Sequence, residues 1–268
     1  MSAFLTRFAP SPTGYLHLGH AAAAFHVWRA AEAAKTLPIL RIEDIDTTRC
    51  KPEYTKAIYE DLSWLGFDWP RPARVQSEHF GDYAAVVEQL AARGLAYRCF
   101  KTRAELALKP PSPIDAEIEA TELEAGKSYA WRLSLAAAKA ELGAVWSRLS
   151  YQLEGVAGTE SIAAEPDRHG DIVIARKDSP SAYHLAATHD DALQGITHVI
   201  RGEDLIDAPH IQTLLQVLMG WPQPIYRHHS LIMGADGTRL SKRNGSIPLA
   251  ELRRSGMTAQ DVWKRLGL

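Results

Sequence analysis

The chain has 268 residues, 46% of them apolar and 23% charged, which is enough to bury a sizeable core in one large domain or two smaller ones. Its formal net charge of -2 excludes a global basic field for nucleic acid, so any such contact must be local. Two cysteines, Cys50 and Cys99, exclude a disulfide framework, no apolar run reaches the length of a membrane span, and the N-terminus enters a strand at once. The expected location is the cytoplasm.

In chain order, Phe4 to Phe8 predicts a strand, Pro10-Ser11-Pro12-Thr13-Gly14 a turn, and the alanine-rich stretch from near Gly19 to about Lys35 a helix. Such a helix start is an anion site, because its first amides have no intrahelical partner and the dipole favours negative charge. His17 and His20, three apart, can turn two imidazoles toward that anion, and Gly19 lets a nucleotide approach the backbone closely. Alone, the two histidines read as a cap and a surface residue. The proline- and glycine-broken turn before them favours a triphosphate.

Leu37 to Ile42 predicts a second strand, ending in Arg41-Ile42-Glu43-Asp44-Ile45-Asp46. Pro52 opens a helix that carries Tyr54, Ala57, Ile58, Asp61, Leu62 and Leu65 at helical spacing up to Gly66, and Tyr83 to Arg93 predicts another. Between Phe100 and Asp167 the rhythm breaks. Pro110-Pro111-Ser112-Pro113 marks a loop, and Asp115, Glu117, Glu119, Glu122 and Glu124 predict a solvated acidic helix. Ile172 to Ala175, His184 to Thr188, Ile196 to Ile200 and Ile225 to Met233 read as strands, and Pro209 to Met219 as a helix closed by Gly220.

Arg239-Leu240-Ser241-Lys242-Arg243 reads as a loop able to close over phosphates, with Lys242 the main cation, although alone it is an ordinary basic loop. Thr258-Ala259-Gln260-Asp261 has the form of a capping box. Strands separated by helices predict an α/β fold with a Rossmann-like, doubly wound parallel sheet. Residues 1–99 are expected to form its first half, 100–167 an inserted α/β subdomain, 168–243 the second half with the lysine loop, and 244–268 a short helical tail.

Together, His17-Leu18-Gly19-His20 and Arg239-Leu240-Ser241-Lys242-Arg243 resemble variant forms of the two signatures of the class I aminoacyl-tRNA synthetases. The run Arg7 to Gly14 narrows the resemblance to the glutamyl branch, and it covers nearly the whole chain. The resemblance implies ATP, accompanied by Mg2+, bound at His17, Gly19, His20, Arg239, Ser241 and Lys242, with His17, His20 and Lys242 catalytic. It implies a glutamate pocket at Arg7, Ala9, Ser11, Glu43, Tyr183 and Arg201, in which Glu43 holds the ammonium, Arg7 and Arg201 the side-chain carboxylate, and Tyr183 supplies a hydroxyl. Substrate chemistry asks for the same types, since glutamate needs one anion and at least one planar, bidentate cation. Arg7, Glu43 and Arg201 all fall at predicted strand ends, where open α/β sheets bind ligands. Without the resemblance each is an ordinary strand-end charge and Tyr183 a strand tyrosine of the core.

Full glutamyl-tRNA synthetases continue into a large helical anticodon-binding region, whereas residues 244–268 allow two short helices. The chain is therefore similar to the glutamyl-queuosine tRNA(Asp) synthetases, truncated paralogues that esterify glutamate onto queuosine in the anticodon stem-loop of tRNA(Asp). Arg71, Arg74, Arg253, Arg254, Lys264 and Arg265 are basic residues that could line a groove for that loop, or be ordinary surface charges. A catalytic portion of an ordinary synthetase charging the acceptor end of tRNA(Glu), and a non-catalytic synthetase-like module, stay open. Bacterial members often carry a zinc site. Here Cys99-Phe100-Lys101 keeps only its first cysteine and no histidine lies between His79 and His169, so no metal site is expected and zinc is expected to be lost.

Overall fold

Strand β1 (Arg7–Phe8) turns through Pro10 to Gly14 into α1 (Leu18–Ala33), whose small residues Ala21, Ala22, Ala24 and Ala31 let it lie close on the sheet. The structure, a computed structural model, describes residues 3–231 and 247–268. β2 (Ile39–Ile42), α2 (Pro52–Trp64), β3 (Arg74–Val75) and α3 (Phe80–Ala92) follow. Pro52 sits in the first turn of α2, where its missing N–H costs nothing. β1, β2 and β3 pair in parallel, Arg7 opposite Ile39 and Ile42 opposite Val75.

Next come β4 (Ala96–Cys99), α4 (Arg103–Leu108), α5 (Ala116–Glu124), β5 (Ala130–Leu133), α6 (Leu135–Leu142), β6 (Ser150–Gly155), β7 (Gly158–Ala163) and β8 (Ile172–Ala175). α7 (Tyr183–Leu193), β9 (His198–Gly202), α8 (Ala208–Met219), β10 (Ile225–His229), α9 (Leu249–Arg254) and α10 (Ala259–Leu266) complete the described chain. β10 runs parallel to both β9 and β6, and the hairpin partner β7 closes that edge. The amides of Thr197 and His198 donate to the Leu5 carbonyl at 2.9 and 3.0 Å, which joins the two groups of strands beside β1. The resulting order, β3-β2-β1-β9-β10-β6-β7, is the reversing order of a doubly wound α/β sheet.

β4, β5 and β8 form a separate antiparallel sheet. Segment 100–167 thus gives its central strand, β5, to that sheet and its hairpin β6-β7 to the main one. Helix α5 buries no residue, as an acidic helix should; Glu119 pairs with Arg98 and Glu122 with Lys127. One element differs outright from the sequence expectation. Residues 184–188 are the start of helix α7 and not a strand, because the buried face of that helix includes Asp190 and Asp191, which interrupt its apolar stripe.

α9 and α10 pack on α1 and α2, where Leu249, Leu252 and Val262 share one core cluster with Val27, Ile58 and Leu62. The capping box at Thr258 and Asp261 is formed, with Thr258 Oγ1 donating to Asp261 at 2.6 Å. Arg253 is held by Glu60 at 2.8 Å and Asp61 at 3.2 Å, and Arg74 by Asp190 and Asp82 at 3.0 and 2.9 Å. Both are thus engaged in ion pairs within the protein. Among the described residues no helix is long and apolar enough to cross a membrane.

Candidate active site

An open cavity of about 370 Å³ lies at the carboxyl ends of β1, β2 and β9. Arg7, Ala9, Ser11, Glu43, Tyr183 and Arg201 all line it, and His20 opens onto the same space. The turn after β1 is fixed there by its backbone: Glu43 N–H donates to Pro10 O at 3.1 Å and Lys51 N–H to Pro12 O at 3.2 Å. A methyl group at Gly202 would fall 2.5 Å from Asp204 Oδ1 and 2.8 Å from Leu231, so a larger residue there would push these two side chains aside.

Beneath the cavity, one carboxylate holds two arginines. Asp191 Oδ1 accepts from Arg7 Nε at 3.0 Å and from Arg41 Nη1 at 2.8 Å, while Arg41 Nη2 reaches Glu43 Oε1 at 2.9 Å. Burial alone would raise the Asp191 carboxyl, but Arg7 and Arg41 hold it below the ordinary value. For Glu43 burial wins and the carboxyl is raised, with Arg41 and Arg7 opposing. Asp190, next along α7, takes Gln76 and the Tyr83 hydroxyl at 3.0 and 2.8 Å as well as Arg74.

Arg201 is different. It is 7% exposed and forms no ion pair with any described carboxylate. Its partners are neutral: Gln212 Oε1 at 3.0 Å, the Tyr183 hydroxyl at 3.5 Å, His228 Nε2 at 3.4 Å and the face of Tyr226, 5.2 Å away. Nη2 is buried with no partner. A buried guanidinium in this state calls for a carboxylate from outside the protein.

His184 and His228, beside Arg201, are each pushed down to about 4 by burial, with Arg201 adding to the effect. Both stay neutral in the fold, whereas in the unfolded chain they take up protons below their ordinary value of 6.5. Their contribution to stability is therefore complete above pH 6.5 and is lost as the pH falls toward 4. Asp61, raised by burial from 3.8 to about 6, and Glu43, also raised by burial, have the opposite sign, while His26, His198 and His210 are lowered by burial and act in the same direction as His184 and His228. Denaturation midpoints should drop between pH 7 and pH 4.5. A midpoint that rises over this interval would contradict the assignment.

At the start of α1, His17 is the N-cap. Its Nδ1 accepts from Gly19 N–H at 3.1 Å, and the His17 N–H donates to His20 Nδ1 at 3.1 Å. The Gly19 amide is thus taken by a side chain, where the sequence reading left it open for an anion. With Nδ1 of each ring accepting, each neutral imidazole carries its proton on Nε2 and acts there as a donor. The rings lie 3.9 Å apart, His17 buried behind His20.

Arg239, Ser241 and Lys242 lie outside the described residues. The chain on either side of them is anchored at the site: Leu231 touches the Gly202 rim, Leu249 N–H donates to Leu16 O at 2.8 Å, and Pro248 bridges His17. Among the described residues no group of three or more His, Cys, Asp or Glu side chains could hold a metal ion.

The family model described as tRNA synthetases class I (E and Q), catalytic domain, matches residues 3–266. This chain belongs to that family. The synthetase is 38% identical to a glutamyl-Q tRNA(Asp) synthetase of Rhodobacter capsulatus, over 98% of this chain and 100% of that one. It is equally similar, at 38%, to a glutamate–tRNA ligase of Aquifex aeolicus, over 100% of this chain and 57% of the ligase. A solved glutamate tRNA ligase of Elizabethkingia meningosepticum, crystallised with its amino acid, superposes with a TM-score of 0.73 at 30% identity. The match covers 91% of this chain, which spans about half of that ligase, 53%. The synthetase is accordingly a ligase of the aminoacyl-tRNA synthetase type, a class that uses ATP and Mg2+. Arg41, Asp191, Gln212 and His228 were not foreseen as part of its site. The adjacent acids Asp190-Asp191 in an otherwise apolar run were the one signal for any of them.

Proposed function

We propose that this synthetase activates glutamate with ATP and transfers it from glutamyl-adenylate to the queuosine base in the anticodon stem-loop of tRNA(Asp). The observation that carries the amino-acid reading is Arg201, a buried cation that among the described residues is held only by neutral groups at the wall of the cavity. Arg7 and Arg41 are tied to Asp191 and Glu43, whereas Arg201 is paired with no described carboxylate, and the side chain of glutamate supplies that counter-ion. Its side-chain carboxylate docks on Arg7 and Arg201, its ammonium on Glu43, and the Tyr183 hydroxyl adds a donor. Ala9 and Ser11 form the wall beside them.

The α-carboxylate then attacks the α-phosphorus of ATP in line, and pyrophosphate leaves. His17 and His20 offer Nε2–H donors beside Gly19, while Arg239 and Lys242 supply the charge, and Ser241 a hydroxyl, that meet the departing pyrophosphate. Positioning and charge stabilisation are the whole of the protein's part, with no protein nucleophile. In the second step a hydroxyl of the queuosine diol attacks the glutamyl carbonyl, an ester forms and AMP leaves.

Relatives named glutamyl-Q tRNA(Asp) synthetase that align along the chain support this acceptor. The equal likeness to a glutamate–tRNA ligase supports the other reading, transfer to the acceptor end of tRNA(Glu). We place the enzyme in the cytoplasm and read the zinc site of the family as lost, since Cys99 is buried in β4 without a second cysteine after it. The isolated protein should exchange labelled pyrophosphate into ATP only when glutamate is present. Lys242→Ala should slow that exchange at least ~10-fold, about 1.4 kcal/mol. Exchange without glutamate, or an unchanged rate in the variant, would contradict the activation step.

A further inference from the structure

The two arginines of the pocket are held in opposite ways. Arg7 shares a buried carboxylate, Asp191, with Arg41. Arg201 is fixed by an uncharged amide, Gln212 on α8, which is 2% exposed and accepts from Arg201 Nη1 at 3.0 Å. A guanidinium only donates, so the amide must present its oxygen to Arg201, and this turns its nitrogen away. That nitrogen, Gln212 Nε2, is buried and has no partner, a cost that glutamate at this position would avoid by pairing with Arg201. Stability alone therefore favours an acid where the protein keeps an amide.

We infer that Gln212 determines specificity by positioning Arg201 without neutralising it, so that the substrate's side-chain carboxylate is its counter-ion. This inference rests on the glutamate reading above. Among the described residues the other partners of Arg201, the Tyr183 hydroxyl, the Tyr226 ring and His228, are uncharged too. The nearby acids Asp191 and Glu43 are engaged by Arg7 and Arg41. Full positive charge at Arg201 attracts a carboxylate and gives an amide no equivalent gain, which separates glutamate from glutamine.

The test uses the full chain and two substitutions of similar size. Gln212→Glu supplies an internal counter-ion with little change in shape. It should melt no earlier than the parent protein, keep its KM for ATP within about twofold, and raise the KM for glutamate at least ~100-fold in pyrophosphate exchange. Calorimetric titration with glutamate should show the same loss, and the preference for glutamate over glutamine should collapse. Gln212→Met removes the acceptor but leaves the charge; its KM for glutamate should rise ~10-fold with the preference retained. Should Gln212→Glu not fold, the methionine variant still decides, because a parental KM there means Gln212 does not position Arg201. Two results overturn the inference: a Gln212→Glu enzyme that keeps the parental KM and preference, or variants that lose activity alike with both substrates and with altered ATP binding. Arg201→Ala separates the levels. If it leaves glutamate activation intact, the glutamate reading itself fails; if it abolishes activation while Gln212→Glu does not, only the role of Gln212 fails.

Discussion

Arg201→Ala is expected to raise the KM for glutamate at least ~100-fold, about 2.7 kcal/mol, while the KM for ATP stays within about twofold. The size follows from the environment: a charge-assisted contact in a buried pocket is lost and the substrate carboxylate is left facing neutral groups. The selectivity follows from the partners. Because no described carboxylate pairs with Arg201, its removal orphans no described buried charge, and the variant should fold with a melting temperature near that of the parent. Arg7→Ala is a poorer probe, since it would strip Asp191 of one of its two cations and mix a folding defect with a binding one. Steady-state pyrophosphate exchange with each substrate varied in turn reads the difference. Equal losses for glutamate and ATP would mean that Arg201 supports the sheet and not the substrate.

The contrast between these two arginines also marks how far the sequence could be read. Local signals carried well: Pro52 opens α2, Gly220 in the left-handed region closes α8, and Thr258 with Asp261 caps α10, each because a single residue type suits a single backbone demand. Strand ends carrying Arg7, Glu43 and Arg201 were legible as well, since strands of a doubly wound sheet deliver their last residues to one edge. What joins those residues was not. Arg41 meets Asp191 across 150 positions and Arg74 meets Asp190 across 116, and no local pattern specifies such pairs. The same buried acids hid α7: a stripe interrupted by Asp190 and Asp191 looks like a short apolar strand followed by a polar turn. His17 shows a subtler limit. Its place at the helix start was readable, but its ring is committed through Nδ1 to the Gly19 amide, so it helps to build the helix end.

The acceptor is the largest effect of all, because it is a matter of presence or absence. An anticodon loop displays unstacked bases and a base-borne diol to a protein surface, whereas the acceptor end offers a terminal ribose. Arg254, Lys264 and Arg265 are exposed on α9 and α10 and remain available to phosphates, unlike Arg74 and Arg253, which sit in ion pairs. Phosphate contacts of this kind position a nucleic acid without specifying it, and under the proposed function the diol of queuosine would select the target. The decisive measurement is transfer of labelled glutamate to purified tRNAs. The account predicts labelling of queuosine-containing tRNA(Asp), none of tRNA(Asp) from cells lacking queuosine, negligible labelling of tRNA(Glu), and full labelling after the terminal adenosine has been removed. Labelling of tRNA(Glu) that disappears when its terminal adenosine is clipped would contradict it.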